Sequence, residues 1–426
     1  MAPRLQHLAA PYRVVWLVIA LLISSALLLE PPAEILRGLG RILTSRGVLI
    51  TDYLVLGSPG SALVNAALVG ALSLCLMLLA RVPANGAILM AIWLNMGFAL
   101  FGKNVLNMLP LVAGVWLYAQ VRREPFSRFS LVALLSATLA PVVSEIALNE
   151  LLGWQGGPLV DVLSGTVGGI LIGFCFPPIA AYVVRVHGGY NLYNMGMAGG
   201  LISTVFVASL HSMGISLPTS LSWATEHNRS MALLLYALSA LLLALGLGLR
   251  GMRTGLRDLW RMSRYSGRLI SDFYLLFGDS IYVNMGLLCA VSTTLVLALG
   301  GDLSGPAVGG ILTITGFGGF GKHLRNITPV LAGAVLSSWL NQWDLTSPAN
   351  MLAILFSTGL APVAGQFGPL WGLVAGFLHV RLVHHVGYLS NGLNLYNNGF
   401  AAGFVVMFLL PLIALFRKER EDAPDL

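Results

Sequence analysis

Asn191-Leu192-Tyr193-Asn194-Met195-Gly196-Met197-Ala198-Gly199-Gly200 returns 203 residues later as Asn394-Leu395-Tyr396-Asn397-Asn398-Gly399-Phe400-Ala401-Ala402-Gly403. The shared skeleton is N-L-Y-N-x-G-x-A-x-G. Each copy sets paired amides and small residues inside an apolar stretch, near the end of one half of the chain. In a helical membrane protein such polar groups line a solute path or hold helices together. Their duplication marks an internal repeat.

The apolar setting extends along the whole chain. Of 426 residues, 57% are hydrophobic and only 10% charged, against about 25% charged in a soluble domain. The mean hydropathy is +0.82. Apolar windows near ~20 residues recur, the length that crosses a hydrocarbon core. The absence of strict polar–apolar alternation argues against a β-barrel. The chain therefore reads as an all-α integral membrane protein. Its net charge of +7 comes from arginines flanking apolar segments, which does not indicate nucleic acid. Cys75, Cys175 and Cys289 lie in apolar runs without a C-x-x-C, so neither a disulfide nor a metal is expected.

The repeat covers most of the chain. Leu49-Ile50-Thr51-Asp52-Tyr53 matches Leu269-Ile270-Ser271-Asp272-Phe273. Phe101-Gly102-Lys103, Asn107, Pro110 and Gly114 match Phe320-Gly321-Lys322, Asn326, Pro329 and Gly333 at a constant shift of 219. Leu139-Ala140-Pro141-Val142 matches Leu360-Ala361-Pro362-Val363. Each half holds about seven hydrophobic segments, and an odd number inverts the second half relative to the first. The short Gly-rich segments at Gly86 and Pro306 are candidates for re-entrant loops. The expected division is a tail at 1–13, a first membrane repeat at 14–212, a linker at 213–230, a second repeat at 231–416 and a tail at 417–426. Residues 250–268 form an Arg-rich amphipathic segment suited to a headgroup surface. If all fourteen segments cross, eighteen of the 24 Lys and Arg fall on one side. That side is then cytoplasmic and holds both termini.

Three sets of residues carry the functional expectation. Asn191, Tyr193, Asn194 and Gly196, with Asn394, Tyr396, Asn397 and Gly399, are two helix starts whose amides can cap orphan N–H groups. Their dipoles would aim positive ends at the membrane interior, beside a substrate path. The alternative is that these amides only join helices. Lys103 with Asn107, and Lys322 with Asn326, would stand at the vestibules and attract anions, or else snorkel to the interface. Glu145, in an apolar segment, is an ion or proton site candidate, although its counterpart is Gln366. Asp52 and Asp272 are expected in structural ion pairs. No Walker loop, H-E-x-x-H or G-x-S-x-G is present, so no enzyme and no cofactor is expected.

The paired N-L-Y-N-x-G and F-G-K…N…P…G blocks resemble a family of multi-pass bacterial membrane proteins described only as a domain of unknown function. That resemblance runs from about Val14 to Leu415 and implies a bacterial inner-membrane location. Tyr193-Asn194-Met195-Gly196 and Tyr396-Asn397-Asn398-Gly399 also resemble the aromatic-Asn-Gly stretch of urea transporters, a family with two inverted halves. The urea-transporter signature L-P-x-x-T-x-P-F is absent, so the resemblance implies architecture and not substrate. The reading is a channel or facilitative transporter for a small polar solute, in contact with the bilayer and able to form a homo-oligomer. Its rivals are an ion-coupled carrier of small organic anions, and a scaffold or lipid-processing protein.

Overall fold

The computed structural model describes residues 12–45, 51–148, 157–217 and 222–416. Most of the N-terminal tail, the C-terminal tail from 417 and linker residues 218–221 lie outside them, as do Leu49, Ile50 and residues 149–156. All regular structure among the described residues is helical. The β-type pairs are two isolated bridges, Thr51–Ser222 and Asp52–Phe101.

Ten α-helices belong to the first half: α1 (Arg13–Leu29), α2 (Pro32–Thr44), α3 (Tyr53–Leu56), α4 (Pro59–Leu79), α5 (Gly86–Phe98), α6 (Val105–Val121), α7 (Ser130–Ser136), α8 (Ala140–Leu148), α9 (Pro158–His187) and α10 (Asn194–Ser212). Ten follow in the second: α11 (Asn228–Arg250), α12 (Met252–Met262), α13 (Phe273–Phe277), α14 (Ile281–Ala298), α15 (Gly305–Phe317), α16 (Leu324–Leu340), α17 (Pro348–Ser357), α18 (Ala361–Phe367), α19 (Pro369–Val386) and α20 (Asn397–Phe416). The order of long and short elements is the same, so α1 corresponds to α11 and α10 to α20. Even the breaks correspond. A 3-10 turn at Ala137–Leu139 separates α7 from α8, and one at Thr358–Leu360 separates α17 from α18. Pro141 and Pro362 follow these turns and lack the N–H that would continue the ladder.

All fourteen apolar segments of the sequence are helical, but eight are long and apolar enough to cross a membrane. A ninth arises if α1 and α2, bent by 113°, count as one span. The chain is a multi-pass helical membrane protein. The sidedness drawn from fourteen crossings does not follow from eight or nine.

The short helices α5 and α15 occupy the middle. At 13 residues each they reach about 20 Å, less than the ~30 Å hydrocarbon core. Every residue of α15 is buried, and so is every residue of α5 except the half-buried Ala87. The two run antiparallel. Gly97 near the end of α5 lies against Gly309 near the start of α15, while Gly316 near the end of α15 meets Met90 and Trp93. Lipid supplies no hydrophobic drive for such a contact, so it depends on backbone closeness and dispersion. A Cβ at Gly97 would stand 2.7 Å from the Gly309 carbonyl oxygen, and one at Gly309 2.6 Å from that of Gly97. Only glycine fits at both positions.

Gly97→Ala and Gly309→Ala should each cost about 1–3 kcal/mol by forcing the helices apart. The thermal unfolding midpoint in detergent reports this as a fall in both variants. Unchanged midpoints would mean that the two helices do not touch there.

Candidate functional site

The first site residues to meet the structure are Asp52 and Asp272. Among the described residues, neither is in the ion pair that the sequence suggested. The ion pairs among the described residues are Arg128–Glu124 and Arg257–Asp258. Each aspartate instead caps two helix starts, one in its own half and one in the other. Asp52 accepts the N–H of Leu54 at 2.9 Å, opening α3, and that of Gly305 at 3.0 Å, opening α15. It also takes the Ala224 N–H at 2.9 Å. Asp272 accepts Leu275 N–H at 3.0 Å, opening α13, and Gly86 N–H at 2.9 Å, opening α5. A helix start leaves N–H groups without intrahelical partners, and a carboxylate there also meets the positive end of the dipole. That need explains why these positions read as isolated acids beside apolar segments.

The loops that follow α5 and α15 carry the two lysines. Both are fully buried, which corrects the expected position at exposed vestibules. The loops are held by asparagines from neighbouring helices. Asn65 Nδ2 donates to the carbonyls of Ala99 and Lys103 at 2.7 and 2.8 Å. Asn284 Nδ2 donates to Gly318 and Lys322 at 2.8 and 2.7 Å. Asn107 and Asn326, expected beside the vestibules, also serve the loops: their Nδ2 groups reach Gly102 O at 3.1 Å and Gly321 O at 2.9 Å. All these carbonyls follow a helix end in a water-poor interior, where an unmet polar group costs several kcal/mol.

The ammonium groups themselves differ between halves. Lys103 Nζ donates to Asn95 Oδ1 at 2.6 Å and lies 5.3 Å from the Phe98 ring centroid. Lys322 Nζ donates to Thr358 Oγ1 at 2.8 Å and to the Tyr193 hydroxyl. It sits 4.4 and 4.7 Å from the ring centroids of Tyr193 and Phe317, a double cation–π contact. By the same alignment, Asn95 corresponds to Ile314 and Thr358 to Ala137. Each half therefore satisfies its lysine with a group that the other half lacks.

The duplicated N-L-Y-N blocks meet at the centre of the molecule. Asn191 Nδ2 donates to Gly399 O and Asn394 Nδ2 to Gly196 O, both at 2.9 Å. Leu192 N–H reaches the Gly359 carbonyl and Leu395 N–H that of Thr138, both at 3.0 Å. These carbonyls lie in the 3-10 breaks, so each half fills the broken ladder of the other. The Tyr193 and Tyr396 rings lie 4.5 Å apart, centroid to centroid. A Cβ at Gly196 would come 2.3 Å from the Tyr396 carbonyl oxygen, so the starts of α10 and α20 approach to backbone contact.

The blocks open helices, as the sequence suggested, but the expected cap is shifted. Tyr193, not an asparagine, precedes α10 and makes no side-chain cap. Asn191 Oδ1 accepts the Tyr193 N–H at 2.9 Å and Asn394 Oδ1 that of Tyr396 at 3.1 Å, an Asx-type turn. Asn194 stays within its own half, with His187 Nε2 at 2.8 Å and Ala180 O at 3.2 Å. Asn397 is half-buried and accepts from Ser390 Oγ at 3.3 Å. Asn191 and Asn394 therefore join the halves.

Two cavities lie away from these asparagines, at matching places in the halves. One of about 410 Å³ is mostly apolar and is bordered by Leu106, Asn107, Pro110 and Ser144. The other, of about 340 Å³, is bordered by Arg264, His323, Arg325, Asn326 and Gln366. Glu145 is buried in α8, while its counterpart Gln366 is half-buried at the second cavity. The sequence assigns no role to Thr138, Thr358, Asn95 or His187, because none has a counterpart of its own type in the other half.

The profile of a family described as a protein of unknown function (DUF1576) matches residues 31–212 and 252–415. The chain belongs to that family. No curated protein and no solved structure matches it, so the likeness to urea transporters stays with the residues quoted for it.

Asn191→Ala and Asn394→Ala should each lose about 1–3 kcal/mol, since each removes a buried hydrogen bond between the halves. Unfolding midpoints should fall in both, whereas Asn397→Ala, at a half-buried position, should move little. Equal effects at all three would remove the cross-half role.

Proposed function

We propose that this multi-pass protein is a transporter for a small anionic solute, with its path along the surface where two inverted halves meet. One observation carries the reading: two lysines, Lys103 and Lys322, are fully buried in the interior with no carboxylate within ion-pair distance of either among the described residues. The starts of α10 and α20, the positive ends of two dipoles, abut beside Tyr193 and Tyr396. A buried charge is costly in a membrane and is kept where it serves a solute or an ion. An anionic solute would balance the two lysines. The packed tyrosines would then belong to a closed state, and the path opens when the halves shift about their contact.

Inversion is supported by parity. To the eight helices long and apolar enough to cross we add α1 and α19, the repeat partners of α11 and α9, which gives each half five: α1, α4, α7–α8, α9 and α10, with their counterparts in the second half. The consecutive pair α5 and α6 either both cross or turn back together, so the number of crossings per half is odd in both cases. The antiparallel α5–α15 contact has the same sense. Both termini then share one face, which we assign to the cytoplasm of a bacterial inner membrane. We further infer that the protein moves its solute without altering it chemically.

A structural role has one observation in its favour. Each lysine follows the end of a short helix, where a cation offsets the negative end of the dipole. Flux separates the two readings. Proteoliposomes containing the protein should take up at least one of a panel of small carboxylates and phosphate, in preference to urea and polyols. Lys322→Met should fold and lose roughly ten-fold or more of that uptake, the scale of one charge-assisted hydrogen bond. Uptake equal to that of empty liposomes for every anion, or unchanged in Lys322→Met, would overturn the proposal.

A further inference from the structure

The cavity at the second half has features that the repeat does not account for. It lies where α12 ends, against the start of α16 and the α18–α19 turn, and Arg264 and Arg325 border it. The matching positions in the first half are Thr44 and Leu106, and the corresponding cavity there is mostly apolar. A duplicated fold gives both halves a cavity at this place; only the second half has made it basic. Among the described residues no acid borders it and neither arginine is in an ion pair. Both side chains are exposed. Arg264 is held in place by stacking on Trp260, with its guanidinium carbon 3.5 Å from the ring centroid.

The helix leading into the cavity says where it lies. On α12, Met252, Leu256 and Trp260 are 65%, 52% and 58% exposed. They recur every four residues and form an apolar stripe facing outward, while Gly255, Asp258 and Met262 face inward. A helix that buries one side in protein and offers an apolar stripe and arginines outward lies in the plane of a membrane surface. A basic cavity opening beside it sits at headgroup depth.

We propose that this cavity binds the phosphate of an anionic phospholipid headgroup, with Arg264 and Arg325 as the two phosphate donors and the acyl chains running past the stripe of α12. The guanidinium fork matches phosphate geometry in two directions. The site is separate from the buried lysines and does not depend on what the protein transports. A free organic phosphate shares the ligand chemistry; the outward apolar stripe favours the lipid.

Native mass spectrometry in detergent tests this by titrating phosphatidylglycerol, phosphatidylcholine and glycerol phosphate. Phosphatidylglycerol should be retained in preference to phosphatidylcholine. The double variant Arg264→Gln/Arg325→Gln should bind it roughly 10- to 30-fold more weakly, as expected for two arginine–headgroup contacts. Arg253→Gln, on the same exposed helix but outside the cavity, should bind as the parent does. The thermal midpoint without lipid confirms that each variant is folded. Equal retention by parent and double variant would overturn the proposal, as would an equal loss in Arg253→Gln. Glycerol phosphate bound as tightly as the lipid would reassign the cavity to a soluble ligand.

Discussion

A broken helix inside a membrane leaves backbone groups with no water to meet them, and the architecture follows from that constraint. The chain interrupts its helices at Ala137–Leu139 and Thr358–Leu360 and ends two short ones deep in the protein. The breaks and the starts of the short helices are met from the opposite half, and the ends of the short helices from their own. Leu192 and Leu395 donate across to the two breaks. Asp52 and Asp272 cap the two short helices of the other half. Asn191 and Asn394 exchange bonds with the turns opening α20 and α10. These contacts are reciprocal, as in an isologous interface, where one patch meets its own counterpart. The difference is that both patches lie on one chain.

That exchange also sets where chemistry can occur. The repaired regions converge on Tyr193, Tyr396 and Lys322, so the least regular backbone and the buried cations share one neighbourhood. The corresponding positions match, and the groups around them differ. Lys103 is met by an amide, Lys322 by two hydroxyls and two rings. Glu145 faces Gln366 across the repeat, and Leu106 faces Arg325. The halves share a frame and have separate environments.

Much of the frame was legible in the sequence, because a shared residue in a duplicated chain is a shared structural need. The matches at Asp52/Asp272, Lys103/Lys322, Asn107/Asn326 and Asn191/Asn394 each mark a contact that the structure makes twice. The fragments around Asn65 and Asn284 belong to the same group and hold the lysine loops. What the sequence could not reveal was the direction of those contacts. An aspartate before a short helix reads equally as an ion-pair member or a cap, and nothing local says that its second N–H lies in the other half. The lysines read as vestibule groups because hydropathy places them at segment ends, yet those segments are short and end inside the protein. Thr358 and Asn95, which meet the ammonium groups, have no counterparts and so left no trace in a search by repetition. The number of crossings was overstated because apolar content alone does not separate a buried 13-residue helix from a spanning one.

Whether the halves depend on one another in this way can be measured by splitting the chain in the linker, between Leu217 and Ser222. The account predicts that the two fragments, expressed together, purify as one complex with a cooperative thermal transition, while either fragment alone aggregates in detergent. A single half that is monodisperse and unfolds cooperatively without its partner would contradict it.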